Sequence, residues 1–357
     1  MANLDLNNAT TTDFSSNVPD FVMDSMTLDV DNSTGETITY FKDAPTNMGY
    51  YAKDPIIFSA ANNLATWAFG RGWVAEDDTT KTEFEHVTGR GNDTFSSIMW
   101  NHEVIKLIVG DSFMEIVTEA RKDEDVLVNL IPISPERVKI ISQSGRIKRY
   151  EIWNGKKWVK KKTTEIYHSS NKRIGDQVHG TSQIDAIKKY IDTRNELFDD
   201  ERVIKHRDKA LGIVYYKTNN EGKITYANSQ IEKAVKNGEM VGLPEDTAKI
   251  EPYPSKSSED RQSFIQYVEN FTYQTFGVPR SIATSDGTSE VGGKMGHVIF
   301  EPIYAKEQAD EEDNIWNQLY KKVKFNRPPS LGGLQEDKNT GQESIQPNDV
   351  EASMTRE

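Results

Sequence analysis

The chain has 357 residues, of which 36% are hydrophobic and 28% charged, with a net charge of −13 and no cysteine. That length holds two or three domains, and the acidic balance argues against a protein that grips nucleic-acid phosphates, a mode that needs clustered Lys and Arg. The lack of cysteine removes disulfides and thiolate metal sites, and no apolar run approaches the roughly 20 residues of a membrane span.

Met1-Ala2-Asn3-Leu4-Asp5 lacks the regions of a signal peptide. The expectation is a soluble protein made inside a cell, or one carried in a particle built there. So low a hydrophobic fraction means a largely solvated chain, or one that buries surface against copies of itself.

Residues 1–50 are rich in Asp, Asn, Thr and Ser, the composition of an extended or disordered acidic arm. Pro55 opens a helix with Ile57, Ala61, Leu64 and Ala68 on one face, ended by Gly70 and Gly72. A polar loop is expected from Asp77 to Gly91. Asn92 or Asp93 then caps a second helix with the stripe Phe95, Ile98, His102, Ile105 and Val109, stopped by Gly110-Asp111.

A β-rich stretch follows, with strands at Phe113–Thr118, Val126–Ile131, Arg137–Ile141 and Ile147–Trp153. Asn154-Gly155 predicts a type I′ hairpin turn into Trp158-Val159. Lysines and arginines flank that hairpin on both sides, among tryptophan and tyrosine. It reads as a nucleic-acid face, as a lysine-guarded sheet edge, or as a surface facing an acidic neighbouring subunit.

From Gly180-Thr181-Ser182 to about Asp208 no Gly or Pro interrupts the chain. The pattern predicts a helix of roughly 40 Å, with Ile184, Ile187, Ile191 and Phe198 in a narrow stripe that includes Arg194. A small module follows, with a strand at Gly212–Lys217, a turn at Asn219–Gly222, a short helix at Ser229–Val235 and strands at Met240-Val241 and Lys249–Glu251. A return helix starts near Ser258 and carries Phe264, Val268, Phe271 and Thr275 inward. Gly277 and Pro279 end it. Residues Thr284–Gly296 read as a Gly- and Ser-rich loop, His297–Lys324 as a helix, and 326–357 as a polar disordered tail.

Catalytic motifs are wanting. Gly287-Thr288-Ser289-Glu290-Val291-Gly292-Gly293-Lys294-Met295 misses the P-loop spacing, and Met295 cannot hold magnesium. The six histidines form no metal-binding pair, and there is no nucleophile elbow. Carboxylate runs such as Asp199-Asp200 and Glu311-Glu312-Asp313 read as solvated helix faces. The expectation is a protein that is not an enzyme and uses no cofactor and no metal.

Several segments, in order and spacing, resemble tailed-phage portal proteins. They are Gly110-Asp111-Ser112-Phe113-Met114-Glu115-Ile116, Leu130-Ile131-Pro132-Ile133, Pro135-Glu136-Arg137-Val138, Ile166-Tyr167-His168, His179-Gly180-Thr181-Ser182 and Phe276-Gly277-Val278-Pro279. The resemblance spans about Pro55 to Phe325. It implies an α+β portal-like fold with a β-rich wing (51–180), a two-helix stem (181–208 and 258–283), a small mixed clip (209–257), a channel loop (284–296) and a wing or crown helix (297–325).

It further implies a ring, typically of twelve copies, at a capsid vertex of the virion, through which double-stranded DNA is packaged and ejected. The partners so implied are further copies of the chain, terminase, a head-tail adaptor and the major capsid protein, with no membrane. The protein would lie in the host cytoplasm during assembly. The runner-up readings are another virion structural or adaptor protein and an enzyme acting on DNA.

Residues carried over with the resemblance are Gly287, Gly292, Gly293, Lys294, Met295 and Gly296 for the channel loop. Lys188, Lys189, Arg194 and Arg202 are the candidates facing the channel from the stem. Tyr215, Tyr216, Lys217, Asn219, Asn220 and Lys223 are the candidates for partner contact at the clip.

Overall fold

The structure, a computed structural model, describes residues 28–31, 35–121, 124–208, 213–237, 248–251, 259–283 and 290–328. The chain divides into two compact units, one of Met1–Asp185 with Phe276–Glu357 and one of Ala186–Thr275.

The first unit is built on helices and antiparallel sheets. Strands β1 (Leu28–Asp31) and β2 (Glu36–Tyr40) precede helices α1 (Ala44–Lys53) and α2 (Pro55–Phe69). The Asp54 carboxylate accepts from the amides of Ile56 and Ile57 at 3.0 and 3.1 Å, with Pro55 in the first turn, so α2 starts where its cap dictates. Ala60, Ala61, Ala65 and Ala68 are fully buried. Their small side chains let helix α4 (Phe95–Val109) approach closely. Between them lie β3 (Trp73–Ala75) and α3 (Asp78–Glu85).

After α4 come β4 (Asp111–Arg121), β5 (Glu124–Ile133), β6 (Val138–Gln143), β7 (Arg146–Trp153), β8 (Trp158–Lys161) and β9 (Ile166–Ser170). They form a five-stranded sheet in the order β1-β2-β6-β7-β8 and a three-stranded sheet in the order β5-β4-β9, both antiparallel. Phe113 of β4 meets Phe41 edge-on at 5.4 Å and stacks on His168 at 4.5 Å.

The second unit takes up helix α5 (Gln183–Asp208) from Ala186 onward. Strand β10 (Ile213–Tyr216), helix α6 (Glu221–Asn237), strand β11 (Ala248–Glu251) and helix α7 (Glu259–Thr275) follow. β10 and β11 pair antiparallel. Ile187 and Ile191 of α5 are fully buried, and Tyr190 touches Phe271 of α7 at 5.0 Å between ring centres. The chain then returns to the first unit through α8 (Arg280–Ala283), α9 (Glu290–Leu319) and β12 (Val323–Phe325), which pairs with β3.

Several expectations are corrected. The arm drawn to residue 50 is structured at Leu28–Asp31 and again from Gly35 onward: β2 sits inside the five-stranded sheet, and Phe41, Ala44 and Asn47 are buried. Averaging over fifty residues hid the strand-forming run Thr37-Ile38-Thr39-Tyr40. The part of the arm in residues 1–27 lies outside the described residues, as does the tail from 329 and the Met240-Val241 strand.

The polar loop contains α3, because Asp77 accepts from the Thr80 amide at 2.7 Å and Phe84 supplies a fully buried anchor. The next cap is Thr94, in a reciprocal box with Ser97, rather than Asn92 or Asp93.

The turn at Asn154-Gly155 is a four-residue loop. The Asn154 side chain accepts from the Lys156 and Lys157 amides, and among these residues only Gly155 has positive φ. The two-residue turn with both residues at positive φ is Ser144-Gly145, between β6 and β7.

The short helix at 229–235 extends over Glu221–Asn237, since Asn220 caps it through the amides of Gly222 and Lys223. The helix begun at His297 starts at Glu290 and ends at Leu319. Tyr320 leaves it at φ 56°, so Lys321, Lys322 and Lys324 lie beyond its end.

Candidate functional site

Two buried polar clusters in the first unit carry chemistry-bearing side chains. In one, His168 Nε2 lies 2.7 Å from Asp111 Oδ1 and 3.1 Å from the Ser170 hydroxyl, and its Nδ1 lies 3.0 Å from the Tyr150 hydroxyl. The residue types are those of a hydrolytic triad, but the geometry is not. A triad needs carboxylate and serine on opposite ring nitrogens, and here both lie at Nε2. Ser170 also donates to Asp111 at 2.7 Å and receives the Arg173 guanidinium at 2.9 Å, so its proton is not directed at an electrophile. Burial, and then the Asp111 charge, pushes the Tyr150 hydroxyl well above its ordinary value, so it keeps its proton.

Asp111 instead ties together strand and helix entry. Its other oxygen accepts from the Gly180 amide at 2.8 Å. Around that bond Asn171 donates to the Gly110 carbonyl at 2.7 Å, Thr181 donates to the Asn171 carbonyl at 2.8 Å, and the Ser182 hydroxyl donates to the Ile108 carbonyl at 2.7 Å. Ser182 also accepts from the amides of Ile184 and Asp185, which makes it the cap of α5. Two segments seventy residues apart in sequence, Gly110-Asp111 and Gly180-Thr181-Ser182, therefore form one junction.

The second cluster lies between α4, α9 and β9. Lys106 Nζ sits 2.6 Å from Glu103, 2.8 Å from Glu307 and 3.9 Å from Glu311. Glu311 accepts from the Tyr167 hydroxyl at 2.6 Å and from Ser169 at 2.9 Å, with His102 Nε2 at 3.3 Å. The solvated face expected for Glu311 is thus wrong: the residue is fully buried. Against the cost of its burial, His102, Lys106 and the Tyr167 hydroxyl hold its carboxyl well below the usual range. Burial, followed by the neighbouring carboxylates, pushes the Glu103 carboxyl up, against the pull of Lys106. Against the cost of its own burial, the surrounding carboxylates raise Lys106 above its ordinary value and keep it charged. An ammonium already stands where a metal would sit, and among the described residues no group of three ligands could hold one.

The surface candidates are dispersed. On α5, Lys188 is half-buried, while Lys189 and Arg202 are exposed, Arg202 lying 3.5 Å from Asp199. Arg194 is only 3% exposed and donates to Asn195 at 3.1 Å. The exposed surface of α5 includes Asp192, Glu196, Asp199 and Asp200.

In the small module Tyr215 is 49% exposed, and Lys217, Asn219 and Lys223 are exposed. The Tyr216 hydroxyl donates to Asn228, and Asn220 is spent on capping α6.

The loop expected at Thr284–Gly296 is helical from Glu290 on. Gly292, Gly293, Lys294, Met295 and Gly296 belong to α9, because this stretch continues into a strongly helical segment. Gly287 lies outside the described residues. Gly296 is buried against Ser281 of α8, and Met295, Val298 and Ile299 are exposed. Among the described residues no helix is long and apolar enough to cross a membrane.

The clusters escaped sequence reading for a simple reason. Glu103 and Lys106, like Glu307 and Glu311, have the spacing of ordinary surface pairs on a helix. The only hint was the apolar density of α4, which buries residues almost all round.

No protein-family model matches the sequence, and no curated protein matches it. Solved structures do match. A chain in the neck of a native gene transfer agent particle, computed with twelvefold symmetry, aligns over 88% of this chain and 93% of its own length, with a TM-score of 0.67 and 14% identity. A chain in the virion of the native particle aligns over 84% and 88%, with a TM-score of 0.65 and 14% identity. An HK97-family phage portal protein from Corynebacterium diphtheriae aligns over 79% and 94%, with a TM-score of 0.51 and 14% identity. The chain has a phage-portal-type fold of mixed helix and strand.

Proposed function

We propose that this protein is a portal: a structural component of a virion that assembles as a ring at one capsid vertex, through which double-stranded DNA enters and leaves. The observation that carries the reading is the likeness over 88% of the chain to a protein in a particle neck computed with twelvefold symmetry. The likeness to a phage portal protein points the same way. In this reading the chain is no enzyme, and its buried polar clusters serve the fold.

The two long helices of the second unit form the stem, and the module between them is the clip that meets terminase and later a head-tail adaptor. The wing meets the major capsid protein. The exposed carboxylates Asp192, Glu196, Asp199 and Asp200 suit a wall past which a polyanion slides, because few phosphates are gripped.

Electron microscopy of the purified protein tests the reading. Class averages should show closed rings of about a dozen copies, the usual closed cyclic symmetry of a head-to-tail contact. Particles that remain monomers or dimers at every concentration would refute it.

A further inference from the structure

One hairpin of the first unit is densely basic. Between Arg146 and Lys162 the chain carries eight basic residues against the single carboxylate Glu151, in a protein of net charge −13. Some of this charge is used internally: Lys148 and Arg149 pair with Glu36 at 2.9 and 2.7 Å, and Lys161 pairs with Glu115 at 2.7 Å.

Lys156, Lys157 and Lys160 are exposed, and none has a carboxylate partner among the described residues. They border an aromatic face: Trp153 and Trp158 touch at 5.5 Å, and Lys139 lies 3.8 Å above the Trp158 ring and 4.9 Å from Tyr40. Register places Lys139, Glu151 and Lys160 side by side on the same face. Protection of the β8 edge accounts for lysines there. It does not account for tryptophans left half-exposed beside them.

The complementary chemistry lies in the same chain. Residues 1–27 contain no Lys or Arg and carry Asp5, Asp13, Asp20 and Asp24. Phe14 follows Asp13 and Phe21 follows Asp20, so acid adjoins aromatic there as cation adjoins aromatic at Lys157-Trp158. The segment joins the fold at β1, the sheet edge opposite β8. Four strand spacings put those edges about 20 Å apart, and the 27 residues before β1 reach up to about 90 Å when extended. Donor and acceptor on opposite edges of one sheet are what a head-to-tail ring contact requires.

We infer that the acidic segment before Leu28 binds the Lys156–Lys160 hairpin of the neighbouring copy, acting as a strap between subunits. The inference rests on the ring reading above. Exposed pairs are individually weak, so the strap acts as several pairs plus aromatic contact, and it weakens in salt.

The test uses full-length protein assembled from a mixture of ¹⁴N- and ¹⁵N-labelled chains, treated with a carbodiimide and analysed by mass spectrometry. Cross-links of Asp13, Asp20 or Asp24 to Lys156, Lys157 or Lys160 between differently labelled chains are expected. Mass photometry of K156E/K157E/K160E and of a chain lacking residues 1–27 should show subunit association weakened about tenfold at moderate salt.

Rings whose cross-links join only equally labelled chains overturn the inference, as do rings with no such cross-links. Loss of DNA retention in the triple variant with unchanged association assigns the hairpin to nucleic acid and also overturns it. Wild-type protein that never forms rings overturns the ring reading, and the inference falls with it.

Discussion

Gly180 and Gly110 meet backbone to backbone: a Cβ on Gly180 would lie 2.2 Å from the Gly110 carbonyl oxygen. The same atom would lie 2.5 Å from both the amide nitrogen and the carbonyl oxygen of Asn171. No side chain can rotate away there, because each clash is with backbone. Gly110 itself ends α4 at φ +100°, in the left-handed region. The close approach aligns the end of α4, the start of β4 and the cap of α5.

Gly180→Ala is therefore expected to be among the most damaging single changes in the chain. Its cost should exceed about 3 kcal/mol, the range of combined overpacking and lost hydrogen bonds. Urea unfolding of the variant, or its recovery only in insoluble form, checks this. A loss below about 1 kcal/mol would show that the segments do not meet.

Glu311 anchors α9 to β9 and α4 through Tyr167, Ser169 and Lys106. Glu311→Ala leaves Lys106 and the Tyr167 hydroxyl short of a buried acceptor and should cost about 3–5 kcal/mol. Tyr167→Phe removes one hydrogen bond to a charged group and should cost about 1.5–3 kcal/mol. The double variant should lose less than the sum of the two, which a double-mutant cycle by denaturant unfolding would measure.

Glu36 provides a pH signature. Hydrogen bonds from Arg149 and then Lys148 lower its carboxyl from the usual value to about 2. A carboxyl titrating near ~4.3 in the unfolded chain gains stability from this lowering. The gain is complete above that value and is lost as pH falls towards 2. Glu36→Gln should be less stable than the native protein at pH 7, and the two should converge as pH drops through 4 to 2. Parallel acid-unfolding curves across that window would contradict the assignment.

Phe41 tests the folded status of the segment before α1. It is 3% exposed and meets Phe113 edge-on at 5.4 Å. Phe41→Ala should destabilise by about 3–5 kcal/mol, and a chain starting after residue 41 should lose at least as much, since β2 is an inner strand of its sheet. Both follow from thermal unfolding. Near-native stability of the truncated chain would restore the plain arm.

Local signals were well marked in the sequence wherever a cap or a breaker acts on its own neighbours. Pro55 after Asp54, Gly70, Ser182 and Gly277 before Pro279 each sit at an element boundary. The stripe Ile184, Ile187 and Ile191 is buried as periodicity requires, while Phe198 at its end is 47% exposed.

What periodicity and caps determined are the helices α2, α4, α5 and α7 and most of the strands, because those depend on residues within a few positions of each other. Tertiary structure alone decided that Thr37–Tyr40 joins a sheet, that Glu311 and Arg194 are buried, and that Gly110 and Gly180 touch. It also decided that β12 returns to β3, a pairing across some 250 residues. A charge on a helix has the same spacing whether it faces water or a buried lysine. Only the partner brought from a distant part of the chain makes the difference.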